Sequence, residues 1–163
     1  MKALVWYDSF FGNTQQVAEA IAEAIRPYVR TVELQRLQNA SPEDVEQADI
    51  LIVGSPTRGF QPSPDTKALL RQLPQYALRG MKVAAFDTRI ALDTIENGVF
   101  RWMVKTGGYA ASTIQKSLLR HGGQSVIAPD GFCVTDKDGP LMEGELQRAS
   151  EWGNTSGQIV GEE

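Results

Sequence analysis

The 163 residues predict a three-layer α/β protein, built on a doubly wound five-stranded parallel sheet in the order 2-1-3-4-5. Strand-like and helix-like patterns alternate along the chain, which calls for parallel strands joined by right-handed crossovers. Two runs, Ala3-Leu4-Val5-Trp6-Tyr7 and Ile50-Leu51-Ile52-Val53-Gly54, are continuously apolar, as central strands buried on both faces are. The second and fifth strands look like edges, one because it alternates and the other because a proline interrupts it.

The first strand leads into Asp8-Ser9-Phe10-Phe11-Gly12-Asn13-Thr14. A helix follows, with Val17, Ile21, Ala24, Ile25 and Tyr28 on one face, and Arg26-Pro27 marks its end. Thr31 to Leu37 alternates, Val32 and Leu34 against Glu33 and Gln35. Ser41-Pro42-Glu43-Asp44 starts a short helix, with a cap, a first-position proline and acids in the first turn. After the third strand, Ser55-Pro56-Thr57-Arg58-Gly59-Phe60-Gln61-Pro62 is a turn-rich loop, and Ser63-Pro64 opens a helix toward Leu73. Lys82 to Phe86 forms the fourth strand, with Asp87-Thr88-Arg89 expected in the loop that leaves it. The stretch from Ile90 to Gly108 is long for a connection and is expected to hold a helical turn or two. Ala110 to Arg120 is helical and ends at His121-Gly122-Gly123. Val126-Ile127-Ala128 and Phe132-Cys133-Val134 make the fifth strand, broken at Pro129-Asp130-Gly131, and a last helix runs from about Met142 to Gln158.

Composition narrows the function. The fraction of apolar residues, 42%, and the absence of any linker or repeat fit one domain over residues 1–163. A net charge of −4 without a basic patch argues against nucleic acid and against a membrane surface. One cysteine, Cys133, excludes an internal disulfide, and one histidine, His121, excludes a histidine metal cluster. With the first strand starting at Lys2 and no apolar run of membrane length, a cytoplasmic location is expected.

The chemistry gathers on the loops. The tight turn between the first strand and first helix directs backbone N–H groups and the positive helix end at one spot, where an anion such as phosphate is stabilised. Ser9, Asn13 and Thr14 add short polar side chains, and Gly12 permits a positive φ. The bland alternative is that Ser9 or Asn13 simply caps the helix. In a 2-1-3-4-5 sheet, ligands sit beyond the carboxyl ends of the strands at the switch between strands 1 and 3, so the loops after strands 1, 3 and 4 should converge. There is no GxxxxGK[ST] and no GxGxxG after the first strand. A receiver domain would carry an aspartate at the end of strand 3, where this chain has Gly54-Ser55.

Tyr7-Asp8-Ser9-Phe10-Phe11-Gly12-Asn13-Thr14 resembles the FMN phosphate loop of flavodoxins, and Gly54-Ser55-Pro56-Thr57 resembles the start of their second flavin loop. Gly139 to Leu146 and Trp152-Gly153 resemble a flavodoxin-like subgroup of uncharacterised role. The resemblance implies non-covalent FMN, with Ser9, Gly12, Asn13 and Thr14 around the phosphate and Phe10 and Phe11 of the same loop among the cofactor-binding residues. It also implies that Ser55, Pro56, Thr57, Arg58, Gly59 and Phe60, with Asp87, Thr88 and Arg89, flank the isoalloxazine. Phe11 stands where many flavodoxins have a hydroxyl residue, which removes one phosphate contact. The usual sandwiching tryptophan and tyrosine are missing from their places; Phe60 is the nearest stacking ring and Trp102 a second.

Cys133 reads as a buried packing thiol and His121 as a partner of the helix dipole. Asp87 either accepts from the flavin edge or caps the next turn. Arg58 and Arg89, if they border the flavin, would favour its anionic reduced form. Two functions follow from the resemblance: an electron carrier that docks to a redox partner protein, and an FMN-dependent oxidoreductase exchanging electrons with NAD(P)H or a quinone. A degenerate, flavin-free binding module is a third. A net charge of −4 gives only a weak docking field, which leans away from a strict carrier.

Overall fold

The computed structural model describes residues 1–91, 98–99 and 109–162. Six strands form one parallel sheet: β1 (Lys2–Tyr7), β2 (Thr31–Arg36), β3 (Ile50–Pro56), β4 (Lys82–Ile90), β5 (Gln124–Ser125) and β6 (Asp130–Val134). Four α-helices accompany them among the described residues: α1 (Asn13–Ile25), α2 (Pro64–Gln72), α3 (Ala110–Arg120) and α4 (Glu145–Gly161). The strand order is β2-β1-β3-β4-β5, with β6 also on β4, as the sequence predicts.

Alternation along the strands sorts the core into two layers. Ala3, Val5, Tyr7, Ile50, Ile52, Ala84 and Phe86 face α1 and α4, where Val17, Ile21 and Trp152 meet them. Leu4, Trp6, Leu51, Val53, Val83 and Ala85 face the other way, against Leu69 and Leu70 of α2 and Ile114 and Leu118 of α3. A strand buried on both faces cannot alternate in polarity, which is why β1 and β3 read as continuous apolar runs. β2 has a neighbour on one side only, and its Leu34 is exposed.

Four expectations need correction. The crossover after β2 is a 3₁₀ helix (Pro42–Gln47), not an α-helix. Ser41 and Asp44 close a capping box around it, and its six residues give little room for α-type bonding. The fifth strand is two pieces: β5 lies against Lys82 and Val83, and β6 against Phe86 to Ile90. Val126 to Ala128 is the gap rather than strand. Pro129 cannot donate to the ladder, and the Ala128 carbonyl accepts instead from Trp152 Nε1 at 3.2 Å. The last helix starts three residues later than expected, at Glu145, because Met142 N–H is still bonded to the Cys133 carbonyl at 2.9 Å. Finally, β4 continues to Ile90, so Asp87, Thr88 and Arg89 are strand residues paired with Gly131, Phe132 and Cys133. Trp102 lies outside the described residues. No helix among the described residues is long and apolar enough to cross a membrane.

Candidate functional site

The chain leaves β1 at Asp8, whose N–H bonds the Gly54 carbonyl at 3.1 Å and so ties the first loop to the end of β3. Ser9 Oγ accepts from the Gly12 N–H at 3.0 Å, and Gly12 turns the chain into α1 with φ of 88°. That left-handed backbone favours glycine. Among the described residues no side chain caps α1. Ser9 is used one residue too early, and Asn13 Nδ2 turns away to the Asp138 carbonyl at 3.1 Å. The bland reading of both residues as caps therefore fails. The helix opens on buried Asn13 and Thr14, and its first N–H groups are left for an external acceptor.

These residues line a cavity of about 90 Å³. Ser9, Phe10, Phe11, Asn13 and Thr14 come from the first loop; Pro56, Thr57 and Arg58 from the end of β3; Thr88 and Arg89 from β4. The three segments converge as the topology requires. Ile90, Val134 and Lys137 also line the cavity and were missed. A signal existed for Val134 and Lys137, since the link leaving the fifth strand emerges at the same end of the sheet, and for Ile90 only once β4 is extended to it. Gly12, Ser55, Gly59, Phe60 and Asp87 are not among the lining residues.

Sheet alternation explains part of that division. Thr88 shares the α1 face with Tyr7 and Phe86, and its Oγ1 lies 2.8 Å from Thr14 Oγ1. Ser55 and Asp87 point to the opposite face and secure the starts of helices there. Ser55 Oγ accepts from Ser63 N–H at 2.9 Å, at the head of α2. Asp87 Oδ2 accepts from Ala111 N–H at 2.8 Å, at the head of α3, which favours the capping alternative for this residue. Arg89 Nε and Nη2 each reach an Asp87 oxygen at 2.7 Å, and the guanidinium stacks over the Tyr109 ring at 3.8 Å. A Cβ on Gly131 would lie 1.9 Å from Arg89 Nε, so this glycine of β6, paired with Asp87, is what makes room for the arginine side chain. Burial pushes the Asp87 carboxyl above its ordinary pKa, while the bonds from Arg89, Ala111 and Thr57 oppose the shift.

Phe60 is half-buried in a tight turn closed by reciprocal Arg58–Gln61 backbone bonds at 2.9 and 3.0 Å, with positive φ at Gly59 and Phe60. The rings at the cavity mouth are instead Phe10 and Phe11, each about half exposed. The Arg58 guanidinium sits 4.4 and 5.5 Å from their centroids. Cys133 lies on β6 as expected but is half-buried rather than buried. Burial raises the pKa of its thiol, and the nearby Glu145 carboxylate adds to the shift.

A family model for the flavodoxin domain matches residues 4–130, well over half of the chain. The chain belongs to the flavodoxin domain family. Among curated relatives, a flavodoxin of Aquifex aeolicus is 49% identical over 57 residues, 34% of this chain and 31% of that protein. An NAD(P)H dehydrogenase (quinone) of Cupriavidus metallidurans is 30% identical over 100 residues, 49% of this chain and 50% of that protein. The chain thus spans about a third and a half of the lengths of these relatives. The crystal structure of oxidised flavodoxin 1 from Bacillus cereus superposes with a TM-score of 0.73 over 97% of this chain and 98% of its own, at 19% identity. At that identity the likeness speaks for the fold.

The donor set fits an FMN phosphate: an uncapped helix start, the Thr14 and Thr88 hydroxyls, and no carboxylate among the lining residues described.

Proposed function

We propose that residues 1–163 act as one FMN-binding electron-transfer domain. The observation that carries this reading is the uncapped start of α1 opening on a cavity that Ser9, Asn13, Thr14 and Thr88 line together with apolar side chains. The cavity is open on one side, and its roughly 90 Å³ suits a phosphate group with the rest of the nucleotide lying outside. In this reading the α1 N–H groups and the Thr14 hydroxyl bind the phosphate, and Thr88 orients Thr14. The isoalloxazine lies over the cavity mouth between the end of β3, at Pro56 to Arg58, and the end of β4, at Thr88 to Ile90. Phe10 and Phe11 shield it from water. Ser55, Gly59, Phe60 and Asp87 act by shaping these segments rather than by contact. A bound flavin supplies one- or two-electron redox chemistry, and the protein sets its orientation and surroundings. We place the domain in the cytoplasm, with a redox partner protein or a small-molecule donor as its electron source.

The test is reconstitution followed by mass spectrometry of the released cofactor. Stoichiometric FMN is expected; FAD, or no flavin taken up, would overturn the reading.

A second reading, an NAD(P)H or quinone oxidoreductase, is supported by the partial similarity to a protein of that name. Arg58 over two exposed rings at the mouth also suits a planar or anionic small molecule better than an acidic docking face would. Bleaching of the flavin band by NAD(P)H, with quinone-dependent turnover, separates this reading from that of a carrier.

A further inference from the structure

We infer that Lys137 is the countercharge for the phosphate, held over it by a latch between Asn13 and the Asp136–Pro140 loop. The inference rests on the FMN reading above and adds to it a cationic contact from the far side of the site.

Three cationic side chains line the cavity among the described residues: Arg58, Arg89 and Lys137. Arg89 is neutralised by a bidentate bond to buried Asp87. Arg58 is stacked on Phe10 and Phe11. Lys137 makes no ion pair with any described residue, although an acid flanks it on each side in sequence, Asp136 and Asp138; Asp136 directs Oδ1 to the Lys137 backbone N–H at 2.7 Å. Of the three, Lys137 alone has neither an acid nor a ring as partner among the described residues.

Its position is fixed by the residue that opens α1. Asn13 Nδ2 donates to the Asp138 carbonyl at 3.1 Å across 125 residues of sequence. Gly139, at φ of 95°, presses so close that an added Cβ would sit 2.5 Å from Asn13 Oδ1. The other end of the loop is tied by the Thr135 N–H to the Pro140 carbonyl at 2.9 Å and by Gly139 N–H to the Asp136 carbonyl at 2.9 Å. A loop closed at its base and latched at its tip to the anion-facing end of α1 carries a single cation into the same cavity. A phosphate there is more than singly charged at neutral pH, so helix N–H groups alone leave charge uncompensated.

The test compares FMN with riboflavin, which lacks the phosphate, on the parent protein, on Lys137→Gln and on Gly139→Ala. Fluorescence titration is run at about 0.01 M and about 0.5 M salt. The expected result is FMN bound roughly five- to tenfold more weakly by Lys137→Gln at low salt, with little difference at high salt and riboflavin affinity unchanged. Gly139→Ala, whose folding is checked by its unfolding curve, should show the same selective loss. FMN affinity unchanged in Lys137→Gln at both salts overturns the inference and leaves the FMN reading standing. Loss in Lys137→Gln but none in Gly139→Ala overturns the latch. A parent protein that binds no flavin overturns both readings.

Discussion

Replacing Arg89 by glutamine removes one half of an ion pair whose other half has nowhere to go. Asp87 is fully buried, and Arg89 donates to both of its oxygens at 2.7 Å. Breaking a buried pair from one side typically costs about 3–5 kcal/mol, because a charge is left in a low-dielectric site. Here Ala111 and Thr57 still donate to the carboxylate, and Arg89 keeps 21% of its side chain exposed, so roughly 2–3 kcal/mol is the better figure. The loss depends on pH. Burial already raises the Asp87 pKa, and Arg89 is the largest influence opposing it, so its removal raises that pKa further. A carboxyl whose folded pKa is raised contributes stability below its unfolded pKa, and this is lost as pH rises through the folded value. Arg89→Gln should therefore cost little where Asp87 is protonated and most at neutral pH. Adding Asp87→Asn should recover much of the stability and flatten the pH dependence. Urea unfolding of the parent, Arg89→Gln and the double variant at about pH 4.5 and about pH 7.5 measures this. An equal penalty at both values, or no relief from Asp87→Asn, would refute the pairing as the source. The same neutralisation limits the influence of Arg89 on a bound flavin. An unpaired arginine contributing about 1 kcal/mol would shift a one-electron potential by roughly 40 mV, and the paired one should shift it by less.

Thr14→Val removes a hydroxyl from the cavity and leaves Thr88 Oγ1 without its 2.8 Å partner. FMN affinity should fall by about 1–2 kcal/mol in a flavin titration, with riboflavin affected far less. Trp152→Phe keeps most of the packing against Phe86 but strands the Ala128 carbonyl that bridges the break between β5 and β6. A loss of about 1–3 kcal/mol is expected by denaturation, without loss of flavin binding. Cys133→Ala should leave flavin binding intact, and native Cys133 should react slowly with thiol reagents near pH 7, because its raised pKa keeps the thiolate scarce. Rapid labelling at neutral pH would contradict this.

Most of the sheet was legible because burial on both faces leaves an unambiguous pattern in β1, β3 and β4, and β2 betrays itself by alternating. The phosphate-facing loop was legible for a different reason: short polar residues and a glycine between a strand and a helix have few other uses. What stayed hidden was the partner chosen by each polar side chain. Asn13 reads as a cap or a ligand, yet its partner lies on a loop 125 residues away. Gly131 reads as a strand breaker, and only the path of the Arg89 guanidinium shows why no larger residue is there.

Asp87-Thr88-Arg89 is the clearest case of a right location with the wrong local structure. Read as a loop, three consecutive residues all point into the site. Read as the end of a strand, they alternate, and Thr88 alone goes to the α1 side while Asp87 and Arg89 go to the α3 side. What decides between the readings is Phe132-Cys133-Val134, because a second neighbour for β4 at this level extends the pairing to Ile90. The sequence did contain that segment, placed on the fifth strand beyond a break. Had its register been carried across Pro129, the extra strand length would have separated the phosphate side of the site from the Asp87–Arg89 pair. The arginine would then have been expected as a neutralised wall of the cavity rather than as a free charge beside the flavin.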